Sequence, residues 1–252
     1  MDEIKARWIE EFLEKAGKVS INGKRAELGI TQEQAVALKR YMELLLEWNR
    51  HMNLTTVTEP SEVAARHFLD SAAGIAVLGS ENTSGWKMAD VGTGAGFPGM
   101  VLKVLRPDWK TTLMDALQKR LSFLEQVKQE LALADNELVH ERAEDAGKKD
   151  AFRENFDLIV SRAVASLPVL LELCVPLIKV GGLFLAYKGP GLTEELEASQ
   201  NALLKLGARV ERVESVRIAG EDWEHRIAVI RKEKATAKTY PRRFDKIQKM
   251  PL

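Results

Sequence analysis

The residues best placed to do chemistry stand in one run, Asp90-Val91-Gly92-Thr93-Gly94-Ala95-Gly96-Phe97-Pro98-Gly99. Glycines at alternate positions strip side chains from a turn, so its backbone N–H groups can approach a ligand closely. Two cofactors compete for such a turn. Gly94 to Gly99 satisfies the dinucleotide spacing GxGxxG. Asp90 with Gly92, Gly94 and Gly96 satisfies the acid-x-Gly-x-Gly-x-Gly spacing that suits S-adenosylmethionine. The acid discriminates between them, because a carboxylate there repels a pyrophosphate but accepts the ammonium of a methionine moiety. Asp115 follows at the end of the next expected strand, where a carboxylate can hold ribose hydroxyls for either cofactor. Ala143 and Glu144, after a third strand, can bracket an adenine.

What is missing narrows the reaction. Exocyclic-amine methylation uses an Asn/Asp-Pro-Pro-aromatic motif after the fourth strand, and Ser161-Arg162-Ala163-Val164 stands there instead. Carbon methylation of a pyrimidine needs a cysteine nucleophile, whereas Cys174 sits inside the apolar run Leu170–Cys174 and reads as core. The four histidines, His51, His67, His140 and His225, have no metal-ligand spacing. These absences favour a nucleophile that needs only alignment. Guanine N7 is one: it carries a lone pair and no proton, once the base has been taken out of its stack.

The elements that must position these residues follow from periodicity. Asp2 to Lys15 sets Ile4, Trp8, Ile9 and Phe12 at helical spacing. Thr31, with Glu33 and Gln34 behind it, predicts a capped start for a helix carrying Val36, Leu38, Tyr41, Met42, Leu45 and Trp48. Pro60 predicts the start of a third helix running to Leu78. From Trp86 short strands and helices alternate. Strands are predicted at 87–91, 111–115, 137–140, 158–161 and 183–187, and helices at 98–105, 118–133, 168–178 and 193–206, with closing strands at 208–215 and 225–231. The expected fold is α/β and Rossmann-like, of the class I S-adenosylmethionine-dependent methyltransferases: a seven-stranded, mostly parallel sheet with an N-terminal helical extension. The expected division is 1–80 extension, 81–233 methyltransferase core and 234–252 basic tail.

The 252 residues are 45% hydrophobic and 29% charged, which suits a globular protein with a real core. No apolar run is long enough for a membrane span, and the first residues show no signal-peptide core. One cysteine excludes an internal disulfide and points to a reducing cytoplasm. Net charge is zero, but Arg231–Leu252 holds eight basic residues against two acidic ones, a local charge of +6 that suits phosphate contacts.

Several segments taken in order resemble one family, the bacterial small-subunit rRNA guanine-N7 methyltransferases (RsmG, also called GidB). They are Trp48-Asn49 with Met52-Asn53-Leu54-Thr55; Arg66-His67-Phe68-Leu69-Asp70-Ser71; the glycine run; Met114-Asp115 with Lys119-Arg120; Arg142-Ala143-Glu144; Ser161-Arg162-Ala163; Lys188-Gly189; and Tyr240-Pro241-Arg242-Arg243. The resemblance implies that Gly92 and Phe97 line the cofactor pocket, with Gly94 and Gly96 supporting it, and that Ala143 and Glu144 flank the adenine. It implies that Arg162 faces both cofactor and target base as the catalytic candidate. It also implies that His67, Asp70, Lys188, Arg242 and Arg243 lie toward the RNA. S-adenosylmethionine is the implied cofactor and 16S rRNA or the small subunit the implied partner. The enzyme is expected to be a cytoplasmic monomer using neither metal nor membrane. The chain departs from the family's Gly-Pro-containing ending at Phe244–Gln248. A small-molecule methyltransferase and a non-catalytic nucleotide-binding regulator are the alternatives.

Overall fold

The computed structural model describes residues 3–252; Met1, Asp2 and the side chain expected of Ile4 lie outside the described part. Helix α1 (Glu3–Ala16) buries Ile9 and Phe12, with Trp8 stacked on Phe12. A hairpin follows, β1 (Val19–Ile21) and β2 (Lys24–Arg25), turned at Asn22-Gly23 with positive φ at both residues. Helix α2 (Gln32–Met52) begins in the expected capping box, Thr31 and Gln34 exchanging side-chain and backbone hydrogen bonds. It buries Ala35, Leu38, Tyr41, Met42 and Leu45 along one face.

The third expected helix is interrupted. A single turn, α3 (Pro60–Glu62), passes into a π-helical segment, Val63–Leu69, before α4 (Asp70–Leu78). The Asp70 N–H donates to the carbonyls of Ala65 and His67 and skips that of Arg66. The wide turn therefore frees one carbonyl inside a helix, a feature often found at functional sites.

The central region keeps the expected rhythm: β3 (Lys87–Val91), α5 (Gly99–Leu105), β4 (Lys110–Asp115), α6 (Gln118–Glu130), β5 (Asn136–His140), α7 (Ala143–Ala146), β6 (Phe156–Arg162), α8 (Leu167–Cys174) and β7 (Ile178–Lys188). The helix expected to reach Ile178 stops at Cys174 because Pro176 has no N–H to donate, and a short 3-10 turn finishes it. The helix expected over 193–206 breaks into α9 (Leu192–Ala198) and α10 (Gln200–Leu206) at buried Ser199, whose hydroxyl bonds back to the Glu195 carbonyl. Strands β8 (Ala208–Ile218) and β9 (Glu224–Lys232) close the sheet, and α11 (Phe244–Lys249) ends the chain.

All strands join one nine-stranded sheet, ordered β2-β1-β8-β9-β7-β6-β3-β4-β5. Strands β3 to β7 run parallel; β9 pairs antiparallel with both β7 and β8, so it alone of these seven runs in the opposite direction. The seven strands β3 to β9 are those expected. The helical extension also carries the β1–β2 hairpin, which pairs with β8 and lengthens the sheet to nine strands. Central strands such as Leu158-Ile159-Val160 are apolar throughout, because helices cover both faces. One apolar cluster joins α1, α2 and α4 to one face; the other face carries α8, α10 and Ile247 of α11. Among the described residues no helix is long and apolar enough to cross a membrane, and no group of side chains could hold a metal ion.

The chain runs outward through β3, β4 and β5 and then returns to place β6 beside β3. That reversal opens a crevice at the carboxyl ends of β3 and β6, where open α/β sheets bind ligands.

Candidate active site

The glycine turn leaves β3 at this reversal, and its shape is set by carboxylates. Asp90 is fully buried, and its Oδ2 accepts from the Gly99 N–H (2.8 Å) and the Thr93 hydroxyl (2.7 Å). A Cβ on Gly99 would stand 2.5 Å from the Asp90 Cβ, so only glycine lets the helix start come this close. Asp115 lies one strand over. Its Oδ2 accepts from the Gly94 N–H (2.9 Å) and from Arg120 (3.2 Å), and its Oδ1 from the Leu117 N–H (2.9 Å). The third support comes from the extension: the Tyr41 hydroxyl donates to the Ala95 carbonyl. Gly96, at φ +95°, leaves room for that ring, since a Cβ there would collide with the hydroxyl.

Asp90 Oδ1 is buried and has no partner. Burial is the main reason that the carboxyl is pushed up to about 6, against the pull of its hydrogen bonds to Thr93 and Gly99. A lone buried acceptor of this kind is open to a hydrogen-bond donor, and the amino group of a methionine moiety is one such donor. The carboxylates of Asp90, Asp115 and Glu144 gather around the same turn, which suits that ligand and opposes a pyrophosphate.

Between the ends of β4, β5 and β6 lies a cavity of about 150 Å³ lined by Gly92, Asp115, Ala143, Glu144, Val164 and Phe244. Glu144 is nearly buried and accepts from Arg142 Nε at 2.6 Å. The expected ribose and adenine residues thus meet at one place.

A second cavity, about 490 Å³, opens beyond the end of β6 and is lined by Arg66, His67, Arg162, Lys188, Trp223 and His225 among others. Arg162 lines this larger cavity. Its guanidinium lies over the Phe97 ring, 5.2 Å from the centroid, and donates to Asp70 Oδ2 (2.7 Å), the freed Arg66 carbonyl (2.9 Å) and His67 Nδ1 (3.3 Å). Since an arginine only donates, His67 Nδ1 accepts, and its Nε2–H donates to the Thr55 hydroxyl (2.8 Å). Burial, aided by the Arg162 charge, pulls the His67 imidazole down to about 4. It is a neutral ring, stacked 4.5 Å above Phe97, with both nitrogens occupied.

Two residues expected to lie toward the RNA are engaged by partners within the protein. Asp70 is fully buried and holds Arg162 and His225 Nδ1 (2.7 Å), so it positions other side chains. Burial opposes its ionisation, but the His225 hydrogen bond and the Arg162 charge outweigh this and hold it below the usual carboxylate range. Arg242 turns inward, its guanidinium and backbone N–H engaging the fully buried Glu172 at 2.6–3.1 Å. Lys188 lines the larger cavity but spends its ammonium on Glu195 (2.7 Å) and the Ala165 carbonyl (2.8 Å). Arg243 alone of the five projects into solvent, 82% exposed and paired only with Asp245. Tyr41, Thr55, Trp223 and Phe244 escaped the sequence reading. Tyr41 hid in an apolar helical stripe, and nothing in the pattern marks a hydroxyl that reaches a loop fifty residues away. A third cavity, about 520 Å³ and lined by Lys87, Lys110 and Lys128, opens at the amino ends of the strands, away from all this chemistry.

The chain is similar to known proteins. Residues 34–223 match the family described as GidB, rRNA small subunit methyltransferase G. The chain is 48% identical over 230 residues to the ribosomal RNA small subunit methyltransferase G of Alkaliphilus metalliredigens, covering 90% of this chain and 95% of that protein. It is 41% identical over 244 residues to the protein of the same name from Bacillus cytotoxicus, covering 97% and 98%. Among solved structures it is similar in fold to a SAM-dependent O-methyltransferase from Thermotoga maritima (TM-score 0.51, 15% identity, 75% of this chain and 72% of that one).

Proposed function

Because the chain belongs to the rRNA small subunit methyltransferase G family, we propose that it methylates N7 of one guanine in 16S ribosomal RNA, with S-adenosylmethionine as methyl donor. The observation that carries this reading is Arg162. It lies on Phe97 of the glycine turn and lines the larger open cavity, while the same turn, through Gly92, lines the small cavity that bears Asp115 and Glu144.

In this reading Asp90 Oδ1 receives the cofactor's ammonium, while Gly92, Gly94, Gly96 and Phe97 shape the turn around its methionine part. Asp115 holds the ribose, and Ala143 and Glu144 flank the adenine. When bound, S-adenosylmethionine supplies an electrophilic methyl group. The larger cavity takes the extruded base, with Trp223 as an aromatic wall and Lys188 and His67 at its margin. Arg162, fixed by Asp70, aligns the base with the methyl group. No base catalyst is needed: His67 has both nitrogens occupied, and burial pushes the Cys174 thiol well up. A lone-pair nucleophile such as guanine N7 fits a site that works by alignment.

Residues 1–80 then cover one face and clamp the turn through Tyr41. Residues 81–233 form the catalytic core, and 234–252 supply exposed cations such as Arg243. The enzyme works as a cytoplasmic monomer on the RNA or the small subunit.

The test uses methyl-labelled S-adenosylmethionine and small subunits from cells lacking the enzyme, followed by borohydride–aniline cleavage at N7-methylguanine. One new cleavage site is expected. Label without cleavage would overturn the N7 assignment. No label on RNA or particles, despite cofactor binding, would transfer the reading to a small-molecule substrate.

A further inference from the structure

We propose that Phe244, from the terminal helix, is a cofactor-positioning residue that packs its ring against the adenine; this rests on the cofactor reading above.

Its ring closes the small cavity opposite the ends of β4 and β6, alongside Gly92, Asp115 and Glu144. Arg142 sits over it, 4.7 Å from the ring centroid, and is itself held by Glu144. The terminal helix is thereby tied to the strand-end residues around the cavity. The rest of the lining includes Val91, Met114, Val164 and Leu173. A wall of apolar side chains and one aromatic ring suits an uncharged, flat heteroaromatic group and offers a phosphate nothing. The single cation in the lining, Arg142, is already spent on Glu144. Adenine is the part of S-adenosylmethionine with that character.

The ring is also held firmly. Two residues before it, Arg242 is bound to the buried carboxylate of Glu172; three residues after it, Ile247 is fully buried. Arg153 donates to the carbonyls of Thr236 (2.7 Å) and Tyr240 (2.8 Å), fixing the approach to the helix. Pro241 packs so closely on Gly147 that a Cβ there would stand 2.9 Å from it. An anchored ring loses little freedom when a ligand packs on it. The segment expected as a basic tail thus contributes Phe244 to the lining of the small cavity, at the place where the chain departs from the ending that the resemblance implies.

Calorimetry with S-adenosylhomocysteine on the full-length protein tests this. Phe244→Ala should weaken binding about tenfold, the loss typical of removing one aromatic–base contact. Phe244→Tyr should bind within about twofold of the unchanged protein. In turnover, Phe244→Ala should raise KM for S-adenosylmethionine while leaving kcat at saturating cofactor and KM for RNA unchanged. Should the alanine variant loosen the terminal helix, Phe244→Leu keeps the apolar bulk. A leucine variant with restored ligand-free melting temperature but weakened binding supports the aromatic contact; one that restores both overturns it. Unchanged affinity in both variants also overturns it. If the unsubstituted protein gives no binding heat, the cofactor reading itself falls, and this proposal with it.

Discussion

At the scale of single residues, the site depends on buried charges held by specific partners. Asp90 ionises near 6 in the folded protein, above the ordinary aspartate value, because burial disfavours its charge. The sign of the consequence depends on the equilibrium considered. For folding alone, this group's contribution is full below the ordinary aspartate value and is lost as pH rises through about 6. For cofactor binding the ionised form is required, so affinity rises with pH. S-adenosylhomocysteine should bind roughly tenfold tighter at pH 7 than at pH 5, and Asp90→Asn should flatten that profile in calorimetry. The same slope in both proteins would place the ammonium elsewhere. Asp70 behaves differently. Removing it in Asp70→Ala leaves Arg162 and His225 without their shared acceptor, at a cost of about 3 kcal/mol. Urea titration should show that loss, and methyl transfer should fall with it, because Arg162 is no longer aimed.

At the scale of elements, two departures from simple helices matter most. The π turn at Val63–Leu69 frees the Arg66 carbonyl for Arg162 and brings His67 and Asp70 to the same guanidinium. The terminal segment is the second, since a buried ion pair fixes it. Arg242→Ala strands the Glu172 carboxylate in the core and should cost about 3 kcal/mol in thermal or urea unfolding. Its RNA affinity, measured on protein that remains folded, should change little. One missed element had left a legible signal: Asn22-Gly23, just after Val19–Ile21, is a favoured two-residue hairpin turn, and β1 and β2 are paired across it. The π turn had no comparable signal, because the carbonyl it frees is taken by Arg162 from a distant strand.

At the scale of the whole molecule, zero net charge conceals an uneven surface. Arg243 projects into solvent from the terminal segment, which makes it a cation available to phosphate. Arg243→Ala should lower RNA affinity and reduce the salt slope of log K by about 0.7 to 0.9, the share of one phosphate contact. Filter binding across a salt series checks this, and an unchanged slope would remove the contact.

The sequence alone determined the alternation of strands and helices, the closing strand pair, the glycine turn and the carboxylates that follow it. These are local: they follow from hydrophobic period, from glycine's backbone freedom and from spacing along the chain. Pairing between distant segments was decided only in three dimensions. Asp70 meets Arg162, Glu172 meets Arg242, and Tyr41 meets the glycine turn because the sheet reversal and the packed extension bring them together. A charged residue in a linear pattern has the same identity whether it faces solvent or a buried partner. Burial and the nearest opposite charge decide which, and both are properties of the folded molecule.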